Sequence, residues 1–265
     1  MLKATVILLQ KLLAKKGFNE VKPDGIIGPK TMAAVNSLIG MKATFNNEQK
    51  LVAALQLLAI ENGIRTGEVD GLWGQETSVA ADALVNLVNT GKVPPPWRPD
   101  ETTVNSAQNN WPVQGEASLT AFYGPAGPSQ LVKVPVPYPH KLSWDLNISV
   151  NSIQAHVKVK DSLQRVLAKV LAHYGQEEIK RLKLDVWGGC YNLRLKRGGT
   201  TPSTHSWGIA LDYDPDRNQL KWGADKAAFA RPEYEAWWRF WEEEGWVSLG
   251  RTRNFDWMHV QAARL

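Results

Sequence analysis

The sequence predicts an N-terminal all-α repeat domain followed by a C-terminal α+β domain with a small antiparallel sheet. Three observations carry this reading. Residues 1–90 repeat themselves with helical periodicity, residues 91–118 are Pro-rich and polar, and residues 119–265 interleave short strand-like and helical segments without regular β-α-β alternation.

The repeat is gapless. Sliding the chain by 46 positions aligns LQKLLAKKGFNEVKPDGIIGPKTMAAVNSL with LQLLAIENGIRTGEVDGLWGQETSVAADAL. Leu9, Gln10, Leu12, Gly17, Asp24, Gly25, Gly28, Thr31, Ala34 and Leu38 recur as Leu55, Gln56, Leu58, Gly63, Asp70, Gly71, Gly74, Thr77, Ala80 and Leu84. Val6, Leu9 and Leu12, like Val52, Leu55 and Leu58, fall on one face of a helix. Gly17 and Gly63 sit where a helix-ending residue of positive φ is wanted. The Asp-Gly pair turns the chain, and a second helix follows, opened in the first copy by Pro29. Each copy, about 1–44 and 45–90, is thus a small helical hairpin.

Pro94, Pro95, Pro96 and Pro99 then stiffen the chain, and TTVNSAQNN lacks periodicity, so 91–118 reads as a linker. The second domain starts near Leu119. Its expected elements are a helix from about Asp161 to His173, a strand around Leu184–Trp187, a strand Ile209–Tyr213, an aromatic-rich helix Pro232–Glu244 and a strand near Trp257–Gln261. Trp237, Trp238 and Trp241, spaced three and four apart, are expected in the core rather than on a sugar platform.

Composition narrows the function classes. The chain has 265 residues, 43% apolar and 22% charged, which suits a globular protein with a real core. No stretch reaches the ~18–20 apolar residues of a membrane span. The opening MLKATVILLQKLLAKK is broken by Gln10 and Lys11 and lacks a small-residue cleavage site, so it reads as a structural helix rather than a signal peptide. A net charge of +5 spread over both halves is no nucleic-acid footprint. The single cysteine, Cys190, excludes an intramolecular disulfide and a multi-Cys zinc site. Nine of the twelve tryptophans follow residue 140, as a large aromatic core or a substrate groove requires.

Two segments of the second domain carry chemistry, GGCYNLRLKRGGTTPSTHSWGIALDYD and NFDWMHVQ. His205 follows a Gly-, Thr- and Pro-rich loop, and Gly208 permits a sharp bend into the Ile209–Tyr213 strand. Alternation puts Asp212 beside small Ala210, on the face opposite Ile209, Leu211 and Tyr213. Catalytic zinc takes three imidazole or carboxylate ligands and leaves a fourth position for water. His205 and Asp212 supply two, and His259 is the candidate third. Asp256, three residues before His259, is the candidate general base, provided a bend brings both to one place.

Two resemblances sharpen this. Helix, Asp-Gly-x-x-Gly turn, Thr and second helix resemble the peptidoglycan-binding modules attached to many wall hydrolases, here in tandem. Ser203-x-His205, Trp207-Gly208-x-Ala210-x-Asp212 and Asp256-x-x-His259 resemble the zinc-dependent D-Ala-D-Ala carboxypeptidases and L-alanyl-D-glutamate endopeptidases, the VanX/VanY-like metallopeptidases, over residues 119–265. That resemblance implies one Zn2+ on His205, Asp212 and His259, Asp256 as general acid/base, Arg194 steadying the developing oxyanion and contacting substrate, and Ser203 contacting substrate. The chain departs from the family pattern at Gln261, where a glutamate is common, and at Asp256, where many members have glutamate.

The whole then resembles a modular phage-type endolysin. The expected activity is zinc-dependent hydrolysis of peptidoglycan stem peptides at the L-Ala–D-Glu bond. The alternatives are D-Ala-D-Ala carboxypeptidase activity and, from another class, a non-catalytic wall-binding or virion structural protein. A lysozyme-like enzyme lacks a persuasively placed glutamate. The expected partner is bacterial peptidoglycan, with no nucleic acid and no membrane insertion. The expected state is a monomer in the host cytoplasm until lysis, and thereafter at the wall. Asp212-x-Asp214-x-Asp216-x-Asn218 imitates a calcium loop, but Arg217 and Gly223 stand where that loop needs Gly and Glu. A looser calcium contact at Asp214 or Asp216 stays open. Cys190 is expected to be buried rather than nucleophilic, and His140, His156 and His173 to be structural.

Overall fold

The computed structural model describes residues 1–95 and 110–265. The chain divides into two compact units, Met1–Pro95 with Lys196–Thr200, and Pro96–Leu195 with Thr201–Leu265.

The first unit holds α1 (Lys3–Lys15), α2 (Pro29–Asn36), α3 (Asn47–Glu61) and α4 (Gln75–Thr90). Leu9, Leu12 and Leu13 of α1, Val35 of α2, Leu55 and Leu58 of α3 and Leu84 of α4 share one core. α3 opens with a capping box between Asn46 and Gln49, which satisfies two otherwise orphaned backbone donors. Gly17 (φ 105°) and Gly63 (φ 74°) end α1 and α3 in the conformation the sequence demanded.

The same buried staple holds both turns. Gln10 Nε2 donates to Asp24 Oδ1 (3.0 Å), the Ile26 carbonyl (2.9 Å) and Thr31 Oγ1 (3.3 Å), while its Oε1 accepts from Gly25 N–H (2.8 Å). Gln56 repeats this with Asp70 (3.0 Å), Leu72 (3.3 Å), Thr77 (3.0 Å) and Gly71 (3.0 Å). Gly25 and Gly71 sit at φ 78° and 72°, which an L side chain adopts only with strain. The recurring Gln, Asp, Gly and Thr positions are therefore one hydrogen-bonded object made twice.

The second unit is built on a six-stranded sheet, ordered β2-β1-β3-β4-β6-β5. Its strands are β1 (Leu131–Leu142), β2 (Asp145–His156), β3 (Val186–Gly189), β4 (Ala210–Tyr213), β5 (Val247–Ser248) and β6 (His259–Gln261). β1 and β3 run parallel, so the sheet is mixed rather than small and antiparallel. The long β1–β2 hairpin escapes sequence reading because Pro135, Pro137 and Pro139 lack the N–H that a ladder needs. Its register accordingly slips between Pro135 and His140.

Helices α5 (Glu116–Tyr123), α6 (Lys160–Leu182), α7 (Glu235–Glu243) and α8 (Leu249–Arg253) complete this unit. α6 extends beyond the expected His173 and breaks at Gly175. A 3₁₀ turn, Pro232–Tyr234, precedes α7, whose Trp237, Trp238 and Trp241 are all buried. Rings of that size make a large contribution to the hydrophobic stabilisation of this unit.

Much of the expected 91–118 linker lies outside the described residues. Its end, however, belongs to the second unit, which therefore begins before Leu119. Trp111 is buried with its Nε1 on the Glu244 carbonyl (3.1 Å), and Val113 bridges Arg264. No described helix is long and apolar enough to cross a membrane.

Gln56→Ala leaves the Gly71 N–H and the Asp70 and Thr77 groups without their shared partner. An expected cost of about 2–4 kcal/mol is checked by hydrogen exchange of the α3 and α4 amides in the intact chain. Protection unchanged from wild type would refute the staple.

Candidate metal centre

The site is written by strand register. β4 and β6 pair antiparallel with Asp212 opposite His259 and Ala210 opposite Gln261. Directly opposed residues share a face with Cβ atoms ~4.5–5.5 Å apart, so these four side chains crowd one patch, to which Ala210 contributes only a methyl group. On the neighbouring strand Gly188 lies against Asp212, where an added Cβ would sit 3.1 Å from the Asp212 Cβ.

His205 arrives from the other side, on the 3₁₀ turn Thr204–Trp207. Gly208 ends that turn at φ 66°. A Cβ there would meet Leu131 Cδ2 at 2.5 Å, so the bend that aims His205 at the sheet requires glycine.

Three ligand atoms converge. His259 Nδ1 lies 3.0 Å from Asp212 Oδ1, His205 Nε2 lies 3.3 Å from His259 Nδ1, and His205 Nε2 lies 3.4 Å from Asp212 Oδ1. Ligands ~2.0–2.1 Å from a tetrahedral cation are ~3.3–3.4 Å apart, close to these separations. The far ring nitrogens are engaged as metal-bound histidines require. His205 Nδ1 donates to the Cys190 carbonyl (2.7 Å), and His259 Nε2 donates to Gln261 Oε1 (3.2 Å). Both histidines are at most 5% exposed. Among the described residues, this is the cluster whose geometry could hold a metal ion, and its two imidazoles and one carboxylate fit a divalent cation.

Charge is arranged to match. Burial would raise the Asp212 pKa, but the charges and hydrogen bonds of His205 and His259 hold it far below the carboxylate range. Burial would lower His259, yet the Asp212 hydrogen bond and charge, with Asp256 adding to them, raise it. A raised imidazole keeps its proton to higher pH, so a cation must displace a proton there.

Asp256 is placed by strain. It and Asn254 adopt left-handed conformations, φ 55° and 57°, uncommon for non-glycine residues and often found at functional sites. The bend required by the Asp256-x-x-His259 spacing is this turn, closed by His259 N–H on the Asp256 carbonyl (3.0 Å) and Asp256 N–H on Leu220 (3.0 Å). Trp257, buried between, anchors it.

Arg194 is not brought to the cluster. Its backbone is tied to the His205 turn by Ser206 Oγ (3.1 Å) and Ser203 N–H (3.0 Å), but its guanidinium donates to the Leu195 carbonyl (3.1 Å). Ser203 is buried at the start of the same turn. The Cys190 thiol is buried, donates to the Gly208 carbonyl and has its pKa pushed up by desolvation, so it is a poor nucleophile. The Asp214 carboxylate is taken by Arg217. His140 is held between the Tyr138 carbonyl and Tyr213 Oη, and burial lowers its pKa to about 4. His156 bonds the Tyr123 carbonyl, and His173 packs on Tyr174 and Phe240. Sequence reasoning missed Ser206 and the outer contacts of Cys190 and Gln261. Gln261 had drawn notice as a departure from a family pattern and Cys190 as a buried thiol, neither for these contacts.

Residues 4–63 match the family model described as "Predicted Peptidoglycan domain". The N-terminal unit carries a cell-wall-binding module. The match covers the first repeat from residue 4 and α3 of the second, including Gln56, whose staple partners Asp70 and Thr77 lie beyond it. No curated protein and no solved structure matches the chain.

Replacing His205 or His259 by Ala should weaken divalent-metal uptake by at least about 100-fold, whereas Cys190→Ala leaves it unchanged. In the wild type, affinity should fall as pH drops below the raised His259 pKa, by up to about tenfold per unit. Competition titration across pH checks both. Affinity independent of pH, or metal held equally by His259→Ala, would contradict the site.

Proposed function

We propose that the chain is a peptidoglycan hydrolase that the wall-binding module holds on its substrate while the second unit cuts stem peptides with zinc-activated water. The observation that carries this reading is the convergence of His205, Asp212 and His259 on one point, with Asp256, whose charge acts on His259, in a left-handed turn three residues before it. His205, Asp212 and His259 would hold the zinc. Such an ion acidifies water and polarises a carbonyl. The wall-binding match says what polymer is at hand, and tethering to it raises the effective substrate concentration.

Asp256 takes the proton of the attacking water and returns it to the leaving amine. It suits this role because it is not among the three converging ligands, yet its charge reaches His259. Arg194 is the candidate for steadying the developing oxyanion, and its guanidinium would first have to leave the Leu195 carbonyl. The bond we favour is L-Ala–D-Glu, since breaking the mesh requires cutting within the stem, and removal of a terminal D-Ala leaves the mesh intact. Release of free D-Ala alone would mark the carboxypeptidase alternative.

Mass spectrometry of fragments from purified peptidoglycan tests this reading. Peptides with a new N-terminal D-Glu, absent when a zinc chelator is added, are expected; intact peptidoglycan would leave a wall-binding or structural protein. Asp256→Ala should keep its zinc and lose turnover by about 10²–10⁴-fold. Loss of metal in that variant would make Asp256 a ligand instead. Arg194→Ala should lower turnover with metal content unchanged, and an undiminished rate would remove Arg194 from the reaction.

A further inference from the structure

The hydrogen bonds around Gln261 fix more than its own position. Its amide touches three groups: His259 Nε2 (3.2 Å), Gln114 Oε1 (2.8 Å) and the Ala263 carbonyl (3.1 Å). The Ala263 carbonyl can only accept. The end of the amide beside it is therefore the NH2, and the other end, facing His259, is the oxygen. An oxygen at that place requires His259 Nε2 to carry hydrogen, which leaves Nδ1 to face Asp212 and His205. Gln114 completes the logic by offering its own oxygen to the second NH2 hydrogen.

We infer that Gln261, clamped by Gln114 and the Ala263 carbonyl, is a positioning residue that sets the tautomer of His259 so that Nδ1 faces the metal. The inference rests on the zinc reading above and deepens it. Gln261 is 1% exposed, so no water competes freely for its amide. Its clamp is anchored in the backbone as well. Gln114 N–H donates to the Arg264 carbonyl (2.6 Å), Arg264 N–H returns to Pro112 (2.9 Å), and Arg264 Nε bonds the Trp111 carbonyl (2.8 Å). Residues 111–114 are thus laced along the end of β6 and support its imidazole from behind. A glutamine does this without adding a charge next to the imidazole. A neutral acceptor orients the ring and keeps the ligand less basic than a carboxylate would.

The test uses the full chain and reads zinc affinity by competition with a chelating dye, and ring protonation by long-range proton–nitrogen NMR of the zinc-loaded protein. Gln261→Leu removes the acceptor while keeping volume and should raise the zinc Kd about 10–100-fold. Gln114→Leu should raise it less, since the Ala263 carbonyl still holds the amide. Gln261→Glu restores an acceptor and should bind at least as tightly as wild type. Wild-type NMR should show His259 coordinated through Nδ1 with hydrogen on Nε2. A Gln261→Leu variant that binds zinc like wild type, or coordination through Nε2, would overturn the inference. If Gln261→Leu does not fold, Gln114→Leu and the wild-type NMR still decide. Failure of the wild type to take up zinc would overturn the metal reading itself, and this inference with it.

Discussion

The antiparallel register between β4 and β6 is the constraint on which the rest of the second unit depends. It sets Asp212 opposite His259 and Ala210 opposite Gln261, and a slip of one residue would turn all of these side chains to the other face. The opposite face is apolar and buried: Ile209, Leu211, Tyr213 and Val260 belong to the aromatic core. The core therefore fixes the register, and the register sets Asp212 against His259. Trp237 and Trp241 of α7 pack on Tyr213, on the face of β4 opposite the cluster. Packing of this kind locks side-chain rotamers and so holds a cluster in one geometry.

The His205 turn comes to the cluster just before β4 and the Asp256 turn just before β6, and each is held mainly by backbone groups. Cys190 contributes its carbonyl, Gly208 its conformational freedom, and Leu220 its carbonyl to Asp256 N–H. The left-handed Asp256 is a local cost that a buried Trp257 and the surrounding hydrogen bonds overcome. Bringing the Asp256 charge to bear on His259 needs a turn of this kind, because a regular strand would send residues three apart to opposite faces.

How far the sequence was legible follows from how local each feature is. The N-terminal repeats could be read in detail because their staple spans only 14 to 21 positions and occurs twice, so that Gln10 and Gln56 mark each other. The convergence of His205, Asp212 and His259 was legible because strand alternation and spacing placed Asp212, and a second motif supplied His259. The β1–β2 hairpin was not, since prolines in β1 hid an alternating pattern behind residues that weaken pairing. Nor was the outer support of the cluster. Gln114 lies 147 positions from Gln261, and the carbonyls of Cys190 and Ala263 leave no mark in side-chain chemistry. For Arg194 a family pattern gives a role, while the structure shows its guanidinium on the Leu195 carbonyl.

The account turns on whether His205, Asp212 and His259 form one metal centre, and X-ray absorption of the zinc-loaded full chain tests this most directly. It predicts one zinc per chain, two imidazole nitrogens and oxygen in the first shell at about 2.0–2.2 Å, and no sulfur. Loss of one imidazole from the spectrum of His205→Ala would tie the signal to this cluster. A sulfur shell, which would bring in Cys190, or a spectrum unaltered by that substitution would contradict it.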